Sequence, residues 1–164
     1  MQTFQIHALP AATFAPLFEL DDEALQRQCI RRRIIDAPHE APCRVSLQDA
    51  EVGEEVLLLP FAHHEHATPY RSSGPIFVRR AAQQACPSPS EVPDSLRRRL
   101  LALRAYDAAG WMLACDVTPG DALEALLIPM LQQPGCAFVN LHYARAGCYA
   151  ARAELRPAPL PLQA

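Results

Sequence analysis

The sequence predicts a single α+β domain over residues 1–156, with a mostly antiparallel or mixed sheet of about six to eight strands, two or three helices packed on it, and a Pro-rich tail over 157–164. Three observations carry this expectation. At 164 residues and 50% hydrophobic content, the chain can bury one core and is short for two. Apolar runs of strand length recur along it, separated by Gly, Pro and Asp turns. One longer amphipathic segment, opening at Thr118, supplies a helix to cover a sheet.

Taken in order, Phe4 to Leu9 alternates as an edge strand, and Pro10 opens a short helix that Pro16 limits before Leu20. Asp21-Asp22-Glu23 starts a second helix whose narrow apolar side is Ala24, Leu25 and Cys29. The run Arg31-Arg32-Arg33 reads as a solvated helix end or strand edge. A strand is expected over Cys43–Leu47, Gly53 breaks the chain, and Val56–Phe61 has the apolar density of a central strand. Pro69 to Gly74 reads as a polar turn before a strand at Ile76–Val78, and the prolines over 83–93 mark a surface loop. Leu101–Tyr106 and Trp111–Cys115 form a hairpin through Asp107-Ala108-Ala109-Gly110. Thr118-Pro119-Gly120-Asp121 then resembles a cap for a helix with Leu123, Leu126, Leu127, Met130 and Leu131 on its apolar face. Pro129 bends that helix and Pro134-Gly135 ends it.

The last hairpin separates two sets of residues. Positions 139, 141, 143, 149, 151, 153 and 155 are mostly apolar, whereas Asn140, His142, Cys148, Arg152 and Glu154 are not. A three-residue loop, Arg145-Ala146-Gly147, places His142 and Cys148 on one polar face; a two-residue loop separates them.

Composition excludes some chemistry. The fifteen basic residues are all arginine, so neither a Schiff-base lysine nor a P-loop lysine is available. A net charge of −3 argues against a dedicated nucleic-acid binder. The segment Met1–Ile6 has no basic leader and apolar run, and no window approaches a membrane span, so a cytoplasmic location without a membrane partner is expected. The six cysteines form no Cys-x-x-Cys pair, and most are expected to be small buried side chains.

Certain segments carry a resemblance: Pro42-Cys43-Arg44; Asp49-Ala50 with Gly53-Glu54; Pro69 to Arg79; Arg104-Ala105-Tyr106-Asp107; and His142, Ala144-Arg145 and Gly147-Cys148. Together they resemble the bacterial domain-of-unknown-function family 1203 over nearly the whole chain, to about Glu154. That resemblance implies a small cytoplasmic bacterial protein without an assigned biochemistry. It covers His63 and not His64 or His66.

Three site readings follow. His63, His64 and His66 invite a weak metal reading, with Asp49, His142, Cys43 or Cys148 as further ligands. Cys148 with His142 forms a candidate thiolate–imidazole pair for a hydrolase or transferase. The leading reading is a pocket for a small anionic molecule, built from His63, Tyr70, Arg71, Ser72, Ser73, Gly74, Arg79, Arg104 and Arg145. Guanidinium forks and hydroxyls suit a carboxylate or phosphate, and Gly74 is expected to let backbone approach the ligand. The competing reading is a structural or partner-binding module, including a homodimer, in which these arginines pair with Asp49, Glu54, Asp107 or Glu154. The sequence leaves any cofactor unidentified.

Overall fold

A computed structural model of the chain describes residues 2–156; the tail expected over 157–164 lies outside the described residues. The eight strands are β1 (Thr3–His7), β2 (Arg31–Ile34), β3 (Glu55–His64), β4 (Ser72–Arg79), β5 (Leu100–Tyr106), β6 (Met112–Pro119), β7 (Phe138–Tyr143) and β8 (Tyr149–Arg156). They form two antiparallel sheets, ordered β1-β8-β7-β5-β6 and β2-β3-β4. The α+β class stands, with the strands divided five and three. Among the described residues no helix is long and apolar enough to cross a membrane.

Each sheet has its own cover. Helix α4 (Leu123–Leu131) lies on one face of the larger sheet, where Leu123, Leu127, Met130 and Leu131 meet Phe4, Ile6, Leu101, Leu103, Val139 and Leu141. Burying each such side chain stabilises the fold by about 1.5–3 kcal/mol. Thr118 does not cap this helix: it belongs to β6, and a 3-10 turn over Gly120–Ala122 leads in. That turn packs against α3 (Asp94–Arg97) so closely that a Cβ on Gly120 would lie 1.9 Å from the Leu96 carbonyl oxygen. The smaller sheet is covered by α1 (Ala11–Phe14), the 3-10 turn Ala15–Glu19 and α2 (Asp22–Arg27), through Phe14, Phe18 and Leu25 against Leu57, Leu59, Ile76 and Val78. Asp21 caps α2, accepting from Ala24 N at 2.7 Å.

Several expectations are corrected. Cys43–Leu47 is a folded loop, held by isolated bridges Pro42–Asp49 and Cys43–Phe77, with Leu47 at φ 52°. Buried Arg44 explains it, because the loop turns the guanidinium inward onto two backbone carbonyls, that of Pro42 beside it and that of Tyr149 on β8. Cys29 is exposed at the left-handed end of α2, and of the six cysteines Cys43 alone is buried. Ser72, Ser73 and Gly74 belong to β4, so the polar turn spans residues 65–71 instead.

The last hairpin departs from an unbroken alternation at one point. Leu141 pairs with Ala151 but His142 pairs with Tyr149, leaving Ala150 as a bulge. Tyr143 N then bonds Cys148 O at 2.9 Å, so the loop is the four residues Ala144–Gly147, with Gly147 at φ 74°. The extra residue exchanges two side chains between faces. Tyr149 joins His142, and Cys148 joins Tyr143 on the other side.

Candidate functional site

The face of the larger sheet opposite α4 is polar. Direct cross-strand pairing sets Cys115, Arg104, Asn140, Arg152 and His7 in one row from β6 to β1. Adjacent rows hold Tyr106 beside Phe138, and His142 beside Tyr149. A strictly alternating sheet with one face on a helix would leave this face to water. Here the far end of the β3–β4 hairpin folds over part of it.

A second bulge makes that cover. Ala62 pairs with Ser73 and His64 with Ser72, so His63 is the extra residue. Consecutive histidines therefore both turn inward. His63 stacks on Tyr149 (5.4 Å between centroids, 13° between planes) and meets His142 edge-on at 5.0 Å. His64 lies 4.2 Å from the Tyr106 ring, and its Nε2 donates to the Gly110 carbonyl at 3.0 Å. Gly110, at φ 84°, must be glycine: a Cβ there would overlap His66 at 2.3 Å. Thr68 Oγ1 donates to the same carbonyl at 3.2 Å, which fastens the β5–β6 turn under the loop.

Inside this cover the polar groups are incompletely matched. Asn140 is fully buried, and neither its Oδ1 nor its Nδ2 has a hydrogen-bond partner. His142 is 1% exposed; its Nδ1 donates to the Gly147 carbonyl at 3.0 Å, which leaves Nε2 as an unpartnered buried acceptor. Buried polar atoms normally find partners, and each one left over costs about 1–3 kcal/mol. Arg152 reaches a carboxylate only at 4.0 Å, from Glu154, and lies 3.9 Å over the Phe138 ring; no ion pair to Arg104 occurs among the described residues. A cleft of about 560 Å³ leads to this region between the β3 end and the β1–β8 edge, lined by His7, Phe61, His63, His66, Tyr149 and Arg152.

The electrostatics are those of a half-buried cationic region with neutral rings. Burial, followed by the nearby Arg104, holds the His142 pKa down at about 4. Burial and Arg104 lower His63 in the same way, and burial lowers His64. Burial also pushes the Tyr149 phenol up to about 12, so it remains a donor at neutral pH. The face thus offers guanidinium donors, two phenols, an amide, and imidazole nitrogens that accept.

A family model for a protein of unknown function, DUF1203, matches residues 40–154. The chain belongs to DUF1203. The matched span runs from the Arg44 loop through most of β8, so every strand of this polar face except β1, which carries His7, lies within it or mostly within it. No curated protein and no solved structure matches the chain.

The residues singled out from sequence divide among different places. His63, Arg104 and His142 come together on the polar face, and Ser72 supports His63 through a 3.0 Å contact from its Oγ to Nε2. Tyr70 sits at the rim, 38% exposed, edge-on to Tyr106 and Trp111. Arg71 and Ser73 are exposed. Gly74 is not a close-approach point, because a Cβ would meet nothing within 4 Å. Arg79 belongs to the smaller sheet, where it pairs with Glu54 at 2.7 Å and reaches Ser46 and Gln48. Arg145 and Cys148 line a different cleft. The Cys148–His142 pair is therefore not assembled: the bulge at Ala150 turns them to opposite faces, and Cys148 Sγ has the Ala146 carbonyl as its neighbour. The three loop histidines are likewise divided, with His63 against Tyr149 and His64 beside His66. Among the described residues there is no group of three His, Cys, Asp or Glu side chains able to hold a metal ion. The sequence reading missed Asn140, Arg152 and Tyr149 as site residues, although alternation already placed Asn140 and Arg152 on the His142 face.

Proposed function

We propose that this protein binds a small anionic metabolite on the polar face between the two sheets, with Arg104 and Arg152 as its cationic contacts. The observation that supports this most directly is Asn140, which stands in register between those arginines, fully buried, with both side-chain polar atoms unpartnered. A carboxylate between two guanidinium groups accepts from both and from the amide Nδ2. The acceptors left over, Asn140 Oδ1 and His142 Nε2, require a donor on the same molecule. A carboxylate carrying a hydroxyl or amino group satisfies both demands, which narrows the ligand to small hydroxy or amino acids.

The test is calorimetric titration with a panel of simple carboxylates, matched hydroxy- and amino-carboxylates, and phosphate, on the wild type and on Arg104→Met. Binding of a hydroxy- or amino-carboxylate that falls at least about tenfold in Arg104→Met supports the site. Absence of heat and of thermal shift with every carboxylate makes the polar face a structural brace and overturns the reading.

A further inference from the structure

A second cleft, of about 400 Å³, lies on the other side of the β7–β8 hairpin and has a different chemistry. Its floor is Arg44, 2% exposed, which donates from Nε to the Tyr149 carbonyl at 2.8 Å and from Nη1 to the Pro42 carbonyl. Among the described residues no carboxylate pairs with it, and burial holds its pKa below the ordinary arginine value. A buried guanidinium without a counter-ion is expensive unless something external compensates it. Arg98 and Arg145 line the same cleft, and neither pairs with a carboxylate among the described residues; Arg98 Nη1 faces only the His39 ring, at 2.9 Å. Arg99 is the exception, paired with Asp49 at 2.8 Å. The carboxylate in the lining, Glu40, is itself paired with Arg33.

Three uncompensated guanidinium groups therefore converge on a space whose other walls are Phe77, Leu100 and Tyr143. The Tyr143 ring has Arg44 and Arg99 at 4.9 and 5.2 Å from its centroid. We infer that this cleft is a binding site for a phosphate monoester with an apolar body. A phosphate monoester carries between one and two negative charges near neutral pH and three oxygens for forked donors, which suits this excess of positive charge better than a single carboxylate does. The apolar walls accept the organic group. The inference is independent of the reading given to the polar face, since the two share no side chain.

Cys148 lines the cleft and reports on its occupancy. The experiment is alkylation of the full chain by iodoacetamide, read by mass spectrometry at Cys148, with phenyl phosphate, inorganic phosphate or phenol present at up to about 10 mM, a range that detects weak binding. Exposed Cys29, Cys86 and Cys115 serve as internal controls. Phenyl phosphate is expected to slow labelling of Cys148 at least about fivefold and leave the three controls unchanged, with inorganic phosphate weaker and phenol inert. The surface variant Arg98→Met/Arg145→Met should lose the protection, whereas Arg104→Met should keep it. Equal labelling with and without phenyl phosphate, or undiminished protection in Arg98→Met/Arg145→Met, overturns the inference. Replacement of Arg44 is not needed, so a folding defect there does not enter the result.

Discussion

Replacing Asn140 by leucine separates a binding face from a brace. In the free protein the amide brings two unpartnered polar atoms into a fully buried position. Relieving buried groups of this kind is worth about 1–3 kcal/mol, and leucine keeps the branched outline of asparagine with larger methyl ends whose apolar surface gains from burial. Asn140→Leu is therefore expected to stabilise the free protein by about 2 kcal/mol. For a chain of this size that corresponds to a rise in Tm of roughly 4–8 °C. The same substitution removes the amide from between Arg104 and Arg152, so carboxylate-induced thermal shift should vanish while the free-state Tm increases. Urea unfolding supplies the free energy, and thermal melts with and without carboxylate supply the coupling. A loss of about 1 kcal/mol or more in free Asn140→Leu refutes the reasoning, because it means that Asn140 already has its partners within the folded protein. Asn140→Asp is the companion: its carboxylate sits where a ligand is expected, and should both stabilise the protein and block carboxylate binding.

Other outcomes follow from the same geometry. His142 titrates near 4 in the folded state against an ordinary value of 6.5, so between those limits the unfolded chain holds the extra proton. Its contribution is complete above about 6.5 and lost as pH falls towards 4, in total about 3 kcal/mol at 1.36 kcal/mol per unit. Urea midpoints between pH 7 and pH 4 measure the loss, and an unchanged slope in His142→Gln refutes the assignment. Gly110→Ala combines a left-handed φ of 84° with overlap on His66, and is expected to cost about 2–5 kcal/mol by urea unfolding. Arg79→Met breaks the pair with Glu54 far from the polar face; it should reduce stability and leave carboxylate affinity unchanged by calorimetry.

The larger sheet was legible because its strands alternate strictly on one face: Leu101, Leu103 and Ala105 on β5 and Val139 and Leu141 on β7 meet one amphipathic helix. The division into two sheets was not, since nothing local in Val56–Phe61 says that its neighbours are β2 and β4 and not β5. The histidine turn drew attention for the right position and the wrong partners. Its neighbours Arg71, Ser73 and Gly74 face outwards or sit in open space, and apart from Ser72 the rings that meet His63 come from strands more than seventy residues later. Arg44 was hidden by its context. Cys-Arg-Val-Ser reads as an alternating strand that would turn its arginine outwards, and only tertiary packing reveals that Arg44 is buried together with Cys43 and Val45. The bulges at His63 and Ala150 escaped for a physical reason: an inserted residue changes pairing without leaving a compositional mark when it is an alanine or one histidine among three.

Ala150 also makes the two clefts interchangeable in a way that no inventory of residues would suggest. With the extra residue absorbed in β8, Tyr149 belongs to the histidine side and Cys148 to the arginine side. Were the ladder unbroken, the loop would shorten to three residues and the two side chains would trade places. The chemistry of each chamber is thus encoded by a parity, odd or even, and a change that expelled the bulge would rewrite both without altering a single functional side chain.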